Sequence, residues 1–158
     1  VHRTRDRNAA ARAAIEEAHK TSQAMRARDP NDAGAIRLVA ITGEVYAQVL
    51  ADAGRFQESY RMSDEVIGAF RQLVEQSGGS QGARRSLAAA LATTGGNYYN
   101  GRQYAQACRI WQEAHDIYAG YERAGTLAEW DRTHGLQEMR DFLRDACNPP
   151  RRGLREAP

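Results

Sequence analysis

Residues 34–70 read GAIRLVAITGEVYAQVLADAGRFQESYRMSDEVIGAF, and residues 82–118 read GARRSLAAALATTGGNYYNGRQYAQACRIWQEAHDIY. Laid on one another with a shift of 48, the two stretches share a register. Gly34-Ala35 falls on Gly82-Ala83, Arg37 on Arg85, Ala40 on Ala88, Arg61 on Arg109 and Glu65 on Glu113, while Phe56 meets Tyr104 and Phe70 meets Tyr118. The triplet Glu17-Ala18-His19 returns as Glu113-Ala114-His115 two periods later, with Glu65-Val66 midway. Self-similarity at one fixed period marks a repeat architecture, in which each unit buries its apolar face against the next.

Each unit reads as helices. Alanine supplies 28 of the 158 residues, and no proline stands between Pro30 and Pro149. Alanine is the strongest helix former and proline the strongest breaker, so a mainly β chain is not expected. Apolar positions recur at helical spacing in six segments. Residues 9–27 place Ala14, Ile15, Ala18, Ser22 and Met25 on one face and stop at Asp29-Pro30. A second helix, capped by Asn31 or Asp32, runs to about residue 53 with Ile36, Val39, Val45, Tyr46, Val49 and Leu50 inward, and Gly54 ends it. Helices over 56–77, 81–100 and 103–123 follow, the middle one capped by Ser80, with Gly78-Gly79, Gly101 and Gly125 at their ends. Thr126 is placed to cap a last helix over 127–147, which turns Leu127, Trp130, Leu136, Met139, Phe142 and Leu143 to the core. Links of a few residues make neighbouring helices antiparallel. The expected fold is all-α: hairpins 36–77 and 84–123, entered by an unpaired helix and closed by a capping helix.

The formal net charge of +2 belongs to the ends. Residues 1–8 and 148–158 each carry +2, which leaves −2 on the body, and both ends read as a basic linker and tail. A nucleic-acid binder concentrates positive charge on its folded face, so no nucleic-acid partner is expected. No apolar run reaches the roughly 18 to 20 residues of a membrane span, so no membrane insertion is expected either. The chain opens on Val1 with no charged-then-apolar leader, and is expected to be a processed chain or a piece of a longer one.

The stretch 91–114 resembles the tetratricopeptide family. Leu91, Gly95, Tyr98, Tyr104, Ala107, Trp111 and Ala114 follow its spacing of large, small and aromatic residues. In the preceding hairpin Ala47, Leu50, Phe56 and Ser59 match, while Ser63 stands where an aromatic is common. The family's usual period is about 34 residues, so a period of 48 implies longer helices, as in bacterial proteins that include regions attached to serine/threonine kinases. The resemblance implies an α-solenoid whose first helices line a concave peptide groove. By position that groove takes Ile41, Glu44, Gln48, Ala51 and Asp52 from the first hairpin. The second contributes Ala89, Ala92, Gly96, Tyr99 and Asn100. Tyr99 is suited to stacking and Asn100 to gripping a peptide backbone. Glu44 and Asp52 make the surface acidic, and the family's cationic clamp for a carboxyl terminus is missing. The implied ligand is therefore a peptide with cationic residues.

Catalytic and metal chemistry finds little support. Gly95-Gly96 is followed by Asn97 and lies inside a helix, which does not fit a phosphate loop. Glu16 and His19 have the Glu-x-x-His spacing, but a di-iron bundle needs a second such motif, and there is none. No serine sits in a recognisable nucleophile motif. Cofactor, metal and enzymatic activity are not expected.

Cys108 and Cys147 lie on helices expected to be antiparallel. Counted from a hinge near residue 125, they are out of step by about five residues, or roughly 7 to 8 Å at 1.5 Å per residue. A bridge needs Cα atoms within about 7 Å. The count leaves a disulfide open while favouring two buried thiols.

The expected function is non-enzymatic protein–protein interaction. The alternatives are a sensory or regulatory region of a larger receptor, such as a membrane-anchored kinase, and self-association through the unpaired helix or the cap. The compartment is left open: cytoplasmic or, for a membrane-anchored receptor, periplasmic.

Overall fold

The computed structural model describes residues 2–147, with side chains from Ala9 onward. Helices α1 (His2–Arg28), α2 (Ala33–Asp52), α3 (Phe56–Gln76), α4 (Gln81–Asn100) and α5 (Tyr104–Arg123) follow one another through short links. A sixth helix, α6, runs over residues 129–147. It alternates α turns (Glu129–Asp131, Glu138–Phe142) with π turns (Arg132–Gln137, Leu143–Cys147). Among the described residues there is no strand. The fold is all-α, with each helix packed on the next.

The 48-residue period is visible in the backbone. α2, α4 and α6 start at residues 33, 81 and 129, and α3 and α5 start at 56 and 104. The N-caps of the first set are Asp32, Ser80 and Ala128. Asp32 Oδ1 accepts from the Gly34 and Ala35 amides at 2.7 and 3.1 Å, and Ser80 Oγ accepts from the Ala83 amide at 3.3 Å. These side chains satisfy amides that the first helical turn leaves orphaned. Alanine at 128 has no such group. The cap expected from Thr126 is therefore absent, and α6 starts two residues later than expected.

The hairpin turns repeat as well. Gly54 has φ 74°, and its counterpart one period later is Arg102, with φ 63°. Arg102 is the one non-glycine residue with positive φ among the described residues. Gly101, expected to supply this stop, has φ −81° and is a glycine for another reason: a Cβ there would overlap the Tyr60 hydroxyl. Left-handed backbone costs an ordinary L-residue roughly 1 to 2 kcal/mol. Arg102→Gly is accordingly expected to raise stability by about 1 kcal/mol, read as an upward shift of the urea midpoint at unchanged slope.

The core runs the length of the stack. Ile36, Leu50, Val66, Phe70, Leu91, Trp111, Leu136 and Met139 are all buried, with Ala40, Ala88, Ala107 and Ala114 where helices approach closely. α2 packs on α4, and α4 on the first π turn of α6. On the other side, α1, α3 and α5 are linked by long polar side chains. Gln23 donates to Glu65 at 3.1 Å, Arg26 to Gln72 at 2.7 Å, and Arg71 to Glu113 at 2.9 Å. The first and last of these pairs are one period apart. Closer approach on the α2–α4–α6 side makes it the inner face of the stack.

Several buried polar groups are paired within the stack, while buried His19 Nε2 has no hydrogen-bond partner among the described residues. Tyr98 Oη donates to Asp64 at 2.8 Å while its ring stacks on Tyr60 at 4.5 Å. Burial, then that contact, raises the Tyr98 phenol above its ordinary range. Burial likewise pushes Tyr118 up to about 12. Arg85 on α4 makes a two-pronged contact with buried Asp131, one arm at 2.7 Å, and so ties the start of α6 to α4.

Several expectations change. Residues 2–8, read as a linker, continue α1. The tail over 148–158 lies outside the described residues. α2 is long and apolar enough to cross a membrane by length and composition, contrary to the reading of the sequence. In this fold its Ile36, Val39, Tyr46 and Leu50 are buried against its neighbours. Met25, Val45, Trp130 and Phe142, assigned to the core by periodicity, are exposed.

Candidate functional site

The exposed aromatic residues point to the site. A cavity of about 570 Å³ opens on the inner face between α2, α4 and α6, with Trp111 of α5 at its back. Trp111 is only 3% exposed, and its indole N–H donates to the Ala92 carbonyl at 3.0 Å. Tyr99 and Phe142 flank it, with ring centroids 5.6 and 4.8 Å from the indole, and are 39% and 38% exposed. Tyr104 extends the aromatic wall, edge-on to Tyr99 at 5.1 Å. Gly95 makes this possible: a Cβ there would overlap Trp111 Nε1.

Polar groups frame the aromatic wall. Gln48 comes from α2, Asn97 and Asn100 from α4, and Glu138 and Asp145 from α6. Asn97 is buried, and its amide is held by a 3.3 Å bond to Ser63 Oγ. Serine therefore serves at 63, where the resemblance led one to look for an aromatic. Asp145 is paired with Arg144 at 2.7 Å, which lowers its carboxyl below the usual range. Glu138 has no hydrogen-bond or ion-pair partner among the described residues.

Five of the residues expected in the groove line this cavity: Gln48, Ala92, Gly96, Tyr99 and Asn100. Ala89 lies in an adjoining hollow. Ala51 is buried and offers nothing to a ligand. Ile41, Glu44 and Asp52 do not line the cavity; Ile41 and Asp52 are exposed and Glu44 is half-buried on α2. The acidic character expected from Glu44 and Asp52 comes at the cavity itself from Glu138 and Asp145. These two, with Phe142, were missed because α6 was read as a regular helix closing the core. Each extra residue in a π turn rotates the rest of the helix by about 100°, so a 3.6-residue period misassigns the downstream face.

Cys108 and Cys147 are joined, with Cα atoms 5.6 Å apart. Two features correct the hinge count. Residues 124–128 form a link rather than the start of a helix, and the wide π turns advance less per residue. The bridge pins the end of α6 to α5 beside the cavity wall formed by Asp145 and Ala146.

Elsewhere, chemistry-bearing side chains are engaged locally. Glu16 pairs with Lys20 at 2.9 Å, while His19 is buried with Nδ1 3.0 Å from Thr42 Oγ1, so the Glu-x-x-His spacing does not converge on one point. Ser59 donates to the Ala47 carbonyl and Ser22 to that of His19. Among the described residues no three His, Cys, Asp or Glu side chains cluster to hold a metal. No family model matches the chain, nor does any curated protein or solved structure.

Proposed function

We propose that the chain is a non-enzymatic, tetratricopeptide-like interaction module whose inner groove holds an extended peptide with basic side chains. The observation that carries this reading is the cavity, which exposed Tyr99 and Phe142 line together with Glu138, a carboxylate without a partner among the described residues. Aromatic faces with a carboxylate at their edge attract cations and offer apolar area at little entropic cost. Gln48 and Asn100 supply amide groups for a peptide backbone. The double variant Tyr99→Ala/Phe142→Ala is expected to weaken a basic peptide selected on the wild-type protein about 10- to 100-fold, at unchanged helicity. Equal affinity in calorimetry would remove the groove from consideration.

The disulfide favours one of the wider settings. Structural bridges persist in oxidising compartments and are rare where thiols are kept reduced. This supports a module that works outside the cytoplasm, as the regulatory region of an exported or membrane-anchored receptor. Thiol trapping in cells that make the natural full-length protein tests it: two reactive thiols per chain would rule that setting out.

A further inference from the structure

The groove does not end at Glu138. A second hollow of about 330 Å³ adjoins the first and shares Ala92, Thr93 and Glu138 with it. Its outer wall is Trp130, which is 62% exposed. One face of that indole is covered by the His134 ring, at 3.7 Å between centroids and 11° between planes. The stack holds a large apolar plate in place with much of its surface open to solvent.

The charges on α6 single out one group. Arg132 and Arg140 both pair with Glu122, and Arg132 also meets Glu129. Arg144 pairs with Asp141 and Asp145, and Asp131 is taken by Arg85. Glu138 is the carboxylate of α6 left without a partner among the described residues, and it borders both hollows. On the helix it stands four residues from His134 and four from Phe142.

Building on the groove reading, we infer that Trp130 and Glu138 form an arginine-selective subsite for one side chain of the bound peptide. A guanidinium is planar and weakly hydrated, so it can lie flat on the open indole while its N–H fork meets the carboxylate. A lysine ammonium is a compact, strongly hydrated point charge and gains less from the plate. Trp130 and Phe142 are twelve residues apart, roughly 18 Å along a regular helix and less through π turns. An extended chain covers about 3.3 Å per residue. The arginine should therefore lie about four or five positions from the side chain that packs on Phe142 and Tyr99.

The test uses the whole chain and defined probes. Trp111 and Trp130 are the two tryptophans, so their indole N–H signals are separable by NMR. Ethylguanidinium at millimolar concentration should shift the Trp130 signal and leave Trp111 in place, whereas ethylammonium should shift it several-fold less. In a selected basic peptide, replacing the anchoring arginine by lysine should cost about fivefold and by citrulline about 10-fold. Glu138→Gln should abolish the difference between arginine and citrulline, and Trp130→Ala the preference for arginine over lysine. A peptide that responds to Tyr99→Ala but shows neither preference would overturn this subsite and leave the groove standing. If no basic peptide binds, the groove reading fails with it. Free L-arginine binding as tightly as the peptide would reassign the subsite to a small molecule.

Discussion

Reducing the Cys108–Cys147 bridge, or changing Cys147→Ser, is expected to cost about 4 kcal/mol of stability. The bridge closes a loop of 39 residues, and cross-linking a loop of that length removes that much entropy from the unfolded chain. For a domain of this size the loss corresponds to a fall of roughly 10 °C in melting temperature. The effect should be concentrated at one place. The terminal π turn Leu143–Cys147 has no fully buried residue, and the bridge adds a covalent tie to the partial packing of Leu143 and Ala146 on the core. Asp145 and Ala146 of that turn line the groove, with Phe142 one residue before it. Reductant should therefore weaken the proposed peptide binding while α1 to α4 keep their amide protection. Melting curves with and without a phosphine reductant, paired with hydrogen exchange, measure both parts. Superimposable curves would show that α6 is held by packing alone.

A second large effect is expected from a single methyl group. Gly95→Ala should destabilise the fold by about 3 kcal/mol, although it improves helix propensity by about 1 kcal/mol. The added carbon would overlap Trp111 Nε1 and Cδ1, well inside van der Waals contact. The indole cannot step aside, because it is buried, bonded to the Ala92 carbonyl and flanked by Tyr99 and Phe142. The adjacent residue is the control. A Cβ at Gly96 meets nothing within 4 Å, so Gly96→Ala should be stabilising by about 1 kcal/mol. Chemical denaturation of the two variants checks the opposite signs. A stabilised Gly95→Ala protein would mean that Trp111 does not sit against α4.

The same pair shows how far the groove was legible before the structure. The small residue at 95 and the large one at 111 are visible as a matched spacing across one hairpin, because their separation is set by two helices and a short turn. Tyr99, Gly96 and Gln48 are placed on the inner face by position, through the resemblance to the tetratricopeptide family. Glu138, Phe142 and Asp145 could not be placed. Their direction depends on π turns in α6, and π turns carry no period that separates them from a regular helix. Trp130 precedes the π turns and was misread for another reason: residues 124–128 are a link, so the spacing from Leu127 to Trp130 is not a helical one, and the exposure of Trp130 is what reveals the second hollow.

The local part of the fold is written in the chain. Helix starts at Asp32 and Ser80, stops at Gly54 and Gly125, and the 48-residue register all arise from caps, left-handed turns and apolar spacing within a few residues. Which groups from distant helices converge depends on how the helices pack. Arg85 finds Asp131, Cys108 finds Cys147, and the acidic edge of the groove is Glu138 rather than Glu44 or Asp52. The physical reason is that a helix's rotation about its own axis is fixed by packing against its neighbours. A one-residue change in winding turns a core face into a solvent-facing one without altering the composition that encoded it.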